Sequence, residues 1–237
     1  MPVHALLPLK DLVQAKTRLS GLLSPSERRA LAQAMAEDVL SMLASHSRVA
    51  SVTLVSDDPS AHLLADRYGL VLLEERKLGV RGLNAVLEAA TNAIVPANED
   101  VILVLHGDIP LFSACELDRV LDCLAQDRAL VIGADRHGQG TNLLAFAAPD
   151  RPTYRFGSDS CARHRDAAGQ RVQVLNLPGL GLDVDEPADL ALLLASLKHN
   201  GRGYTRDLLF PTELGRRLEL ALESGLIEAP GKENDNG

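Results

Sequence analysis

The run Val101-Ile102-Leu103-Val104-Leu105 is apolar at every position and is followed at once by His106-Gly107-Asp108-Ile109-Pro110. A strand with one wet face alternates apolar and polar residues. A strand that is apolar throughout is buried on both faces, as in a mainly parallel sheet with helices on each side. The run therefore predicts the central strand of an α/β sheet, and Asp108 falls just past its carboxyl end. In such sheets the carboxyl ends of the strands are where ligands bind.

The rest of the chain keeps this rhythm. Residues 3–9 read as a short apolar strand followed by a polar, basic loop. Ser24-Pro25-Ser26-Glu27 is a helix start, with a hydroxyl cap, proline in the first turn and a glutamate three residues on. The helix should span 25–44, with Leu31, Ala34, Met35, Asp38, Val39 and Met42 at helical spacing. A strand at 49–56 follows. Asp57-Asp58-Pro59 then caps a helix to Tyr68, and Gly69 stops it before a strand at 70–73. Helices are expected at 83–92, 113–126, 158–168 and 187–197, and strands at 129–134, 141–147 and, at an edge, 172–175. This order implies a single-domain α/β fold over 1–198, a mainly parallel sheet with helices on both faces. Residues 199–237 read as a C-terminal extension: a polar, glycine-rich stretch to Phe210, one amphipathic helix at 211–224, and a disordered tail from Lys232. The amphipathic helix points to a homodimer.

Composition narrows the function. At 237 residues and 46% hydrophobic, the chain can bury one sizeable core. Cys115, Cys123 and Cys161 lack CxxC spacing, which argues against a disulfide framework or a zinc site. A net charge of −8 without a basic, aromatic-interleaved stripe argues against nucleic acid. No apolar run approaches the roughly 18 residues of a membrane span, and the start of the chain shows no signal pattern, so a cytoplasmic protein is expected.

The second acidic signal is Leu182-Asp183-Val184-Asp185-Glu186-Pro187, read as another strand end before a helix. In an extended segment, a spacing of two puts Asp183 and Asp185 on one face, where like charges repel unless a cation lies near. Asp185 or Glu186 also suits the cap of the helix that Pro187 opens. With Asp108, these carboxylates make a hard, oxygen-rich site suited to Mg²⁺ and the phosphates of a nucleotide. Lys10, Lys16 and Arg18 follow the first strand. Neither GxxxxGK[ST] nor GxGxxG is present, so cationic side chains rather than glycine amides would neutralise phosphates there. Gly140-Thr141-Asn142 and Phe156-Gly157-Ser158-Asp159-Ser160 could hold an anion, or serve as a turn and a helix cap. Gly79, Gly82 and Asn84 form a loop and helix start that could approach a base or ribose. His106 and His164 belong to no metal or base pattern and read as structural or surface residues.

As an ordered set, Lys10-x5-Lys16-Thr17-Arg18-Leu19, Gly82-Leu83-Asn84, Gly107-Asp108-Ile109-Pro110, Gly140-Thr141-Asn142, Phe156-Gly157-Ser158-Asp159-Ser160 with Arg163-His164, and the Asp183 motif resemble one family. It is the guanylyltransferases that start the side chain of the deazaflavin hydride carrier coenzyme F-420. The resemblance covers residues 2–197. It implies a nucleotidyltransferase fold of the GT-A-like, nucleotide-diphospho-sugar transferase kind. It implies a reaction in which GTP and a three-carbon phosphoacid give a GMP-linked diphosphate and pyrophosphate. The acceptor would be 3-phospho-D-glycerate, phosphoenolpyruvate or 2-phospho-L-lactate. By resemblance, Asp108, Asp183 and Asp185 would hold Mg²⁺, and Asp108 and Lys16 would be catalytic. Lys10, Lys16, Arg18, Gly82 and Asn84 would hold GTP, and Thr141, Gly157 and Ser160 the phosphoacid. His106 departs from the pattern, standing where a smaller or hydroxyl residue is expected. Two other readings share these features. A molybdopterin or sugar-phosphate nucleotidyltransferase would usually open with a glycine-rich Leu-x-Gly-Gly, absent here. A nucleotide sensor would bind GTP without turnover.

Overall fold

Strand β4 (Val101–Leu105) lies in the middle of a seven-stranded sheet, as its apolar run predicts. The computed structural model describes residues 1–10, 12, 15–94, 100–126, 129–200 and 202–227, with the backbone alone at 199 and 200. Along β4, Val101, Leu103 and Leu105 join one core cluster, while Ile102 and Val104 join another on the opposite face. This is the period-two alternation of a strand, with both faces dry.

β1 (Val3–Pro8) pairs in parallel with β4 on one side and with β2 (Val49–Val55) on the other; β2 pairs in parallel with β3 (Val71–Leu73). On the far side of β4 runs β6 (Thr141–Ala147), antiparallel to both β4 and β5 (Leu130–Ala134), and β7 (Val172–Leu175) forms the edge beside β5. The full order is β3-β2-β1-β4-β6-β5-β7. The chain winds outward from β1 to β3, then restarts at β4 on the other side of β1. The crevice beyond the carboxyl ends of β1 and β4 is therefore the topological switch point, where such sheets take ligands.

α1 (Pro25–Ser45) begins with the expected reciprocal cap: Ser24 Oγ accepts from Glu27 N at 3.4 Å, and Ser24 N donates to Glu27 Oε2 at 2.8 Å. The helix is apolar on two sides. Ala36, Val39, Leu40 and Leu43 pack on the sheet together with α2 (Ala61–Tyr68) and α4 (Ala114–Leu124). Leu31 and Met35 face away, against α7 (Pro187–Asn200), α8 (Tyr204–Leu209) and α9 (Glu213–Glu223). The opposite face of the sheet is covered by α3 (Leu83–Ile94) and α5 (Ser160–Ala168).

Three local expectations change. The segment before Asp183 is not a strand. A short helix, α6 (Pro178–Gly181), comes first, and residues 182–186 pair with no strand. Leu182 and Val184 are buried as alternation predicts, but Val184 N donates to Asp108 O at 3.1 Å, so the segment crosses the strand ends instead of joining a ladder. α6 is held close because a Cβ on Gly179 would collide with the carbonyl oxygen of Leu111. Next, Asp58 sits in a turn before α2 rather than as its cap: its buried carboxylate accepts from Ser60 N at 2.8 Å and, across the sheet top, from Leu12 N at 2.8 Å. Finally, α8 occupies a stretch that composition reads as loop. Its first turn is secured by Asp38 of α1, which accepts from Tyr204 N and Thr205 N. Leu218 and its neighbours on α9 pack within the same chain, so the amphipathic pattern gives no separate argument for a dimer. The tail from Lys232, expected to be disordered, lies outside the described residues. Among the described residues, no helix is long and apolar enough to cross a membrane.

Candidate active site

A cavity of about 650 Å³ opens at the switch point, between the loop after β1 and the loop after β4. Lys10, Lys16, His106 and Asp108 line it, with Asp185 at its rim and apolar Leu9, Leu12, Ala15 and Leu83 completing the wall. The loop after β1 is shaped by Asp58 through Leu12 N. It then brings Lys16 into the left-handed region, with φ 56° and ψ 40°. A non-glycine residue held there costs of order 1 kcal/mol, and such strain concentrates at functional sites.

Lys16 Nζ donates to Asp108 Oδ2 at 2.6 Å and to Asp185 Oδ1 at 2.5 Å, and its side chain is only 7% exposed. Burial acts to lower the Lys16 ammonium, but the two carboxylates outweigh it and raise the pKa above its ordinary value. Burial likewise acts to raise Asp108, yet Lys16 first and His106 next hold its carboxyl below the usual carboxylate range. Asp108 Oδ1, by contrast, is buried and has no hydrogen-bond partner. A buried carboxylate oxygen without a partner is costly.

Asp183 accepts from Asn142 Nδ2 at 3.1 Å. Burial raises its carboxyl; the Asn142 hydrogen bond works against that, while the charges of Asp108 and Asp185 add to it. The segment that carries both aspartates is held by Asp189, whose Oδ2 accepts from Asp185 N at 3.0 Å and Glu186 N at 2.8 Å. Asp189 is itself paired to Arg136 at 2.7 Å. The start of α7 is thus tied by Asp189, which leaves the Asp185 carboxylate free to reach Lys16 and Glu186 free to pair with Arg18 at 2.6 Å.

Among the described residues, no group of three or more histidine, cysteine or acidic residues stands as a preassembled metal cage. Asp108, Asp183 and Asp185 meet at one sheet end, but Lys16 takes one oxygen from each of Asp108 and Asp185, and Asn142 takes one from Asp183. The donor set still suits a hard cation: all-oxygen, anionic, with one orphaned buried oxygen on Asp108 and a destabilised charge on Asp183.

The second expected wall stands beside this one. Asn142 O accepts from His106 N, and the His106 ring meets the Phe156 ring edge-on at 5.3 Å. Phe156 leads into Gly157, whose φ of 122° is glycine territory, and Ser160 is buried at the start of α5. Thr141, buried at the start of β6, lies 3.1 Å from His164 Nδ1 by its hydroxyl. Asn84 is employed differently from its expected role: its amide donates to Phe156 O and accepts from Phe156 N, clamping the start of α3 to this wall. Gly82, with φ 89°, precedes that clamp at the cavity edge beside Leu83. Sequence reading named Asn142 only within the Gly140-Thr141-Asn142 motif, took His164 for a structural or surface residue and Asp58 for part of a cap, and passed over Asp189, whose one local signal is an acidic side chain in the first turn of α7.

The sequence model of the guanylyl transferase CofC-like family matches residues 3–223. The chain belongs to this family. It is a nucleotidyltransferase of the guanylyltransferase class, and both α8 and α9 lie within the matched span. It is 36% identical to a phosphoenolpyruvate guanylyltransferase of Conexibacter woesei, over 88% of this chain and 96% of that one. It is also 36% identical to a 2-phospho-L-lactate guanylyltransferase of Methanothermobacter thermautotrophicus, over 93% and 99%. A solved structure from Desulfovibrio desulfuricans, assigned as a nucleotide-diphospho-sugar transferase, superposes with a TM-score of 0.74 at 19% identity, over 92% of this chain and 97% of that chain. The fold is therefore that of the nucleotide-diphospho-sugar transferases.

Proposed function

We propose that this guanylyltransferase joins the GMP part of GTP to the phosphate of a three-carbon phosphoacid and releases pyrophosphate, in the assembly of coenzyme F-420. The observation that carries the reading is Asp108, with one oxygen on Lys16 and the other buried and unpartnered, at the switch point of this fold. The names of the relatives supply the acceptor class.

A phosphate oxygen of the acceptor attacks the α-phosphorus of GTP. The new P–O bond forms as the bond to the β-phosphate oxygen breaks, and its electrons leave with pyrophosphate. The attacking oxygen is already ionised at neutral pH, so no protein base is needed. Catalysis then consists of holding two anions together and neutralising the charge that builds on the leaving group. Lys16, kept charged by its carboxylates, and Lys10 supply positive charge on the nucleotide side. Arg18 stands at the outer rim with Glu186. Leu9, Leu12, Ala15 and Leu83 offer apolar wall for the nucleoside. Asp108, Asp183 and Asp185 would hold Mg²⁺, which when bound acts as a Lewis acid on phosphoryl oxygens. Thr141, Gly157 and Ser160 form the acceptor wall.

The test is pyrophosphate release from GTP and Mg²⁺ with phosphoenolpyruvate, 2-phospho-L-lactate and 3-phospho-D-glycerate in separate reactions. Release with one or more is expected. GTP binding without release in any of the three would overturn the reading in favour of a sensor or another acceptor.

A further inference from the structure

His164 meets Thr141, Ser160 and the turn that precedes Gly157, yet it does not line the cavity. It lies on α5 four residues after Ser160 and is fully buried. Its Nε2 is 2.8 Å from Arg155 N, two residues before Gly157, and its Nδ1 is 3.1 Å from Thr141 Oγ1. The Phe156 ring meets its face edge-on at 5.0 Å.

The tautomer follows from this network. A backbone N–H can only donate, so Nε2 must be the bare, accepting nitrogen, and the proton of the neutral ring is on Nδ1. Nδ1 then cannot accept from Thr141. The Nδ1 proton lies between the Thr141 hydroxyl and the Ser160 carbonyl one turn back, so the hydroxyl stands on the accepting side of His164 and its own proton is directed elsewhere. A hydroxyl held as an acceptor on one side is a prepared donor on the other.

We propose that His164 is a positioning residue for the phosphoacid: by fixing the Thr141 hydroxyl as an acceptor it presents the Thr141 proton to the anion, and by accepting Arg155 N–H it sets the turn that brings Gly157 to the same anion. This rests on the assignment of Thr141, Gly157 and Ser160 to the acceptor. Burial, the largest influence, pushes the imidazole down to about 4, which keeps the ring neutral and this tautomer in force throughout the working pH range.

The experiment compares His164→Gln, His164→Asn, Thr141→Val and Ser160→Ala by the KM for each substrate. Asn places an amide donor near the position of Nδ1, whereas Gln reaches only the position of Nε2. His164→Gln should raise the acceptor KM roughly ten- to hundredfold and leave the GTP KM unchanged. His164→Asn should recover part of that loss. The Gln change should add little on top of Thr141→Val, because both take away the oriented Thr141 proton. If Thr141→Val raises the acceptor KM while His164→Gln leaves it alone, or if both substrates weaken equally, His164 is structural only. If Thr141→Val and Ser160→Ala also leave the acceptor KM untouched, the acceptor wall itself is misassigned and this inference falls with it. Should the histidine variants not fold, ¹⁵N spectra of the native imidazole decide: a bare Nε2 and a protonated Nδ1 at neutral pH are expected, and the opposite tautomer or an imidazolium overturns the proposal.

Discussion

At the scale of single residues, the site is a problem of charge. Lys16 is held in a strained backbone conformation and nearly sealed from water between two carboxylates. Removing one member of a buried pair leaves an uncompensated charge. Lys16→Met should lower kcat by about two to three orders of magnitude, the range seen when a preorganised charge contact at a reacting centre is lost. Lys16→Arg should not restore it, because a planar fork does not replace a compact ammonium between two carboxylates. Steady-state kinetics on a variant shown to be folded by circular dichroism is the check. Asp108→Ala should be at least as severe, and near-normal turnover in a folded Asp108→Ala protein would refute the assignment of that residue. A pH effect on stability belongs here too. His164 titrates at about 4 in the native protein and near 6.5 in an unfolded chain. Between those values the unfolded chain binds the proton and the native one does not. Its contribution is therefore complete above about pH 6.5 and is lost as the pH falls toward 4, by roughly 3 kcal/mol in all. Urea midpoints at pH 7 and pH 4.5 should differ more for the native protein than for His164→Gln.

At the scale of elements, the strands and long helices were legible because their signals are local. The cap of α1, the all-apolar β4 and the glycine stop after α2 are written within a few residues of where they act. The acidic segment at 183–186 was not legible in the same way. Buried Leu182 and Val184 alternate with the aspartates as they would in a strand, but no partner strand is there. What orders the segment is largely remote: Asp108 O just past β4 and Asn142 of β6, and the nearby Asp189, itself held by Arg136. Asp189→Ala should therefore free the backbone of residues 185 and 186 at a cost of about 1–3 kcal/mol. It should lower activity although residue 189 does not line the cavity. Amide exchange would report the loosening, faster at 185–186 than in β4; protection equal to the native protein would show that the segment has another anchor.

At the scale of the whole molecule, α1 is the shared wall of two cores. One side closes the sheet and the other closes a layer made by α7, α8 and α9. Leu209, fully buried in that layer, does not line the cavity and shares no contact cluster with β1 or β4. Leu209→Ala should cost about 2–5 kcal/mol of stability, as cavity-forming core changes do. It should leave kcat of the folded enzyme near normal. A chemical denaturation curve beside a turnover assay separates the two, and unchanged stability would mean that this layer contributes little.

The amino-acid sequence by itself determined the α/β class, the order of the seven sheet strands and the longer helices, the centrality of β4 and the pair of acidic signals. Each depends on periodicity or on residue types adjacent in the chain. Tertiary structure alone decided that β6 runs antiparallel, that α8 packs as a helix against Asp38, and that Lys16 sits between Asp108 and Asp185. It alone made His164 the link between Thr141 and Arg155. These are pairings between groups nine to 169 residues apart. Their energies arise only when folding excludes water from both partners, and no local pattern in the chain can carry them.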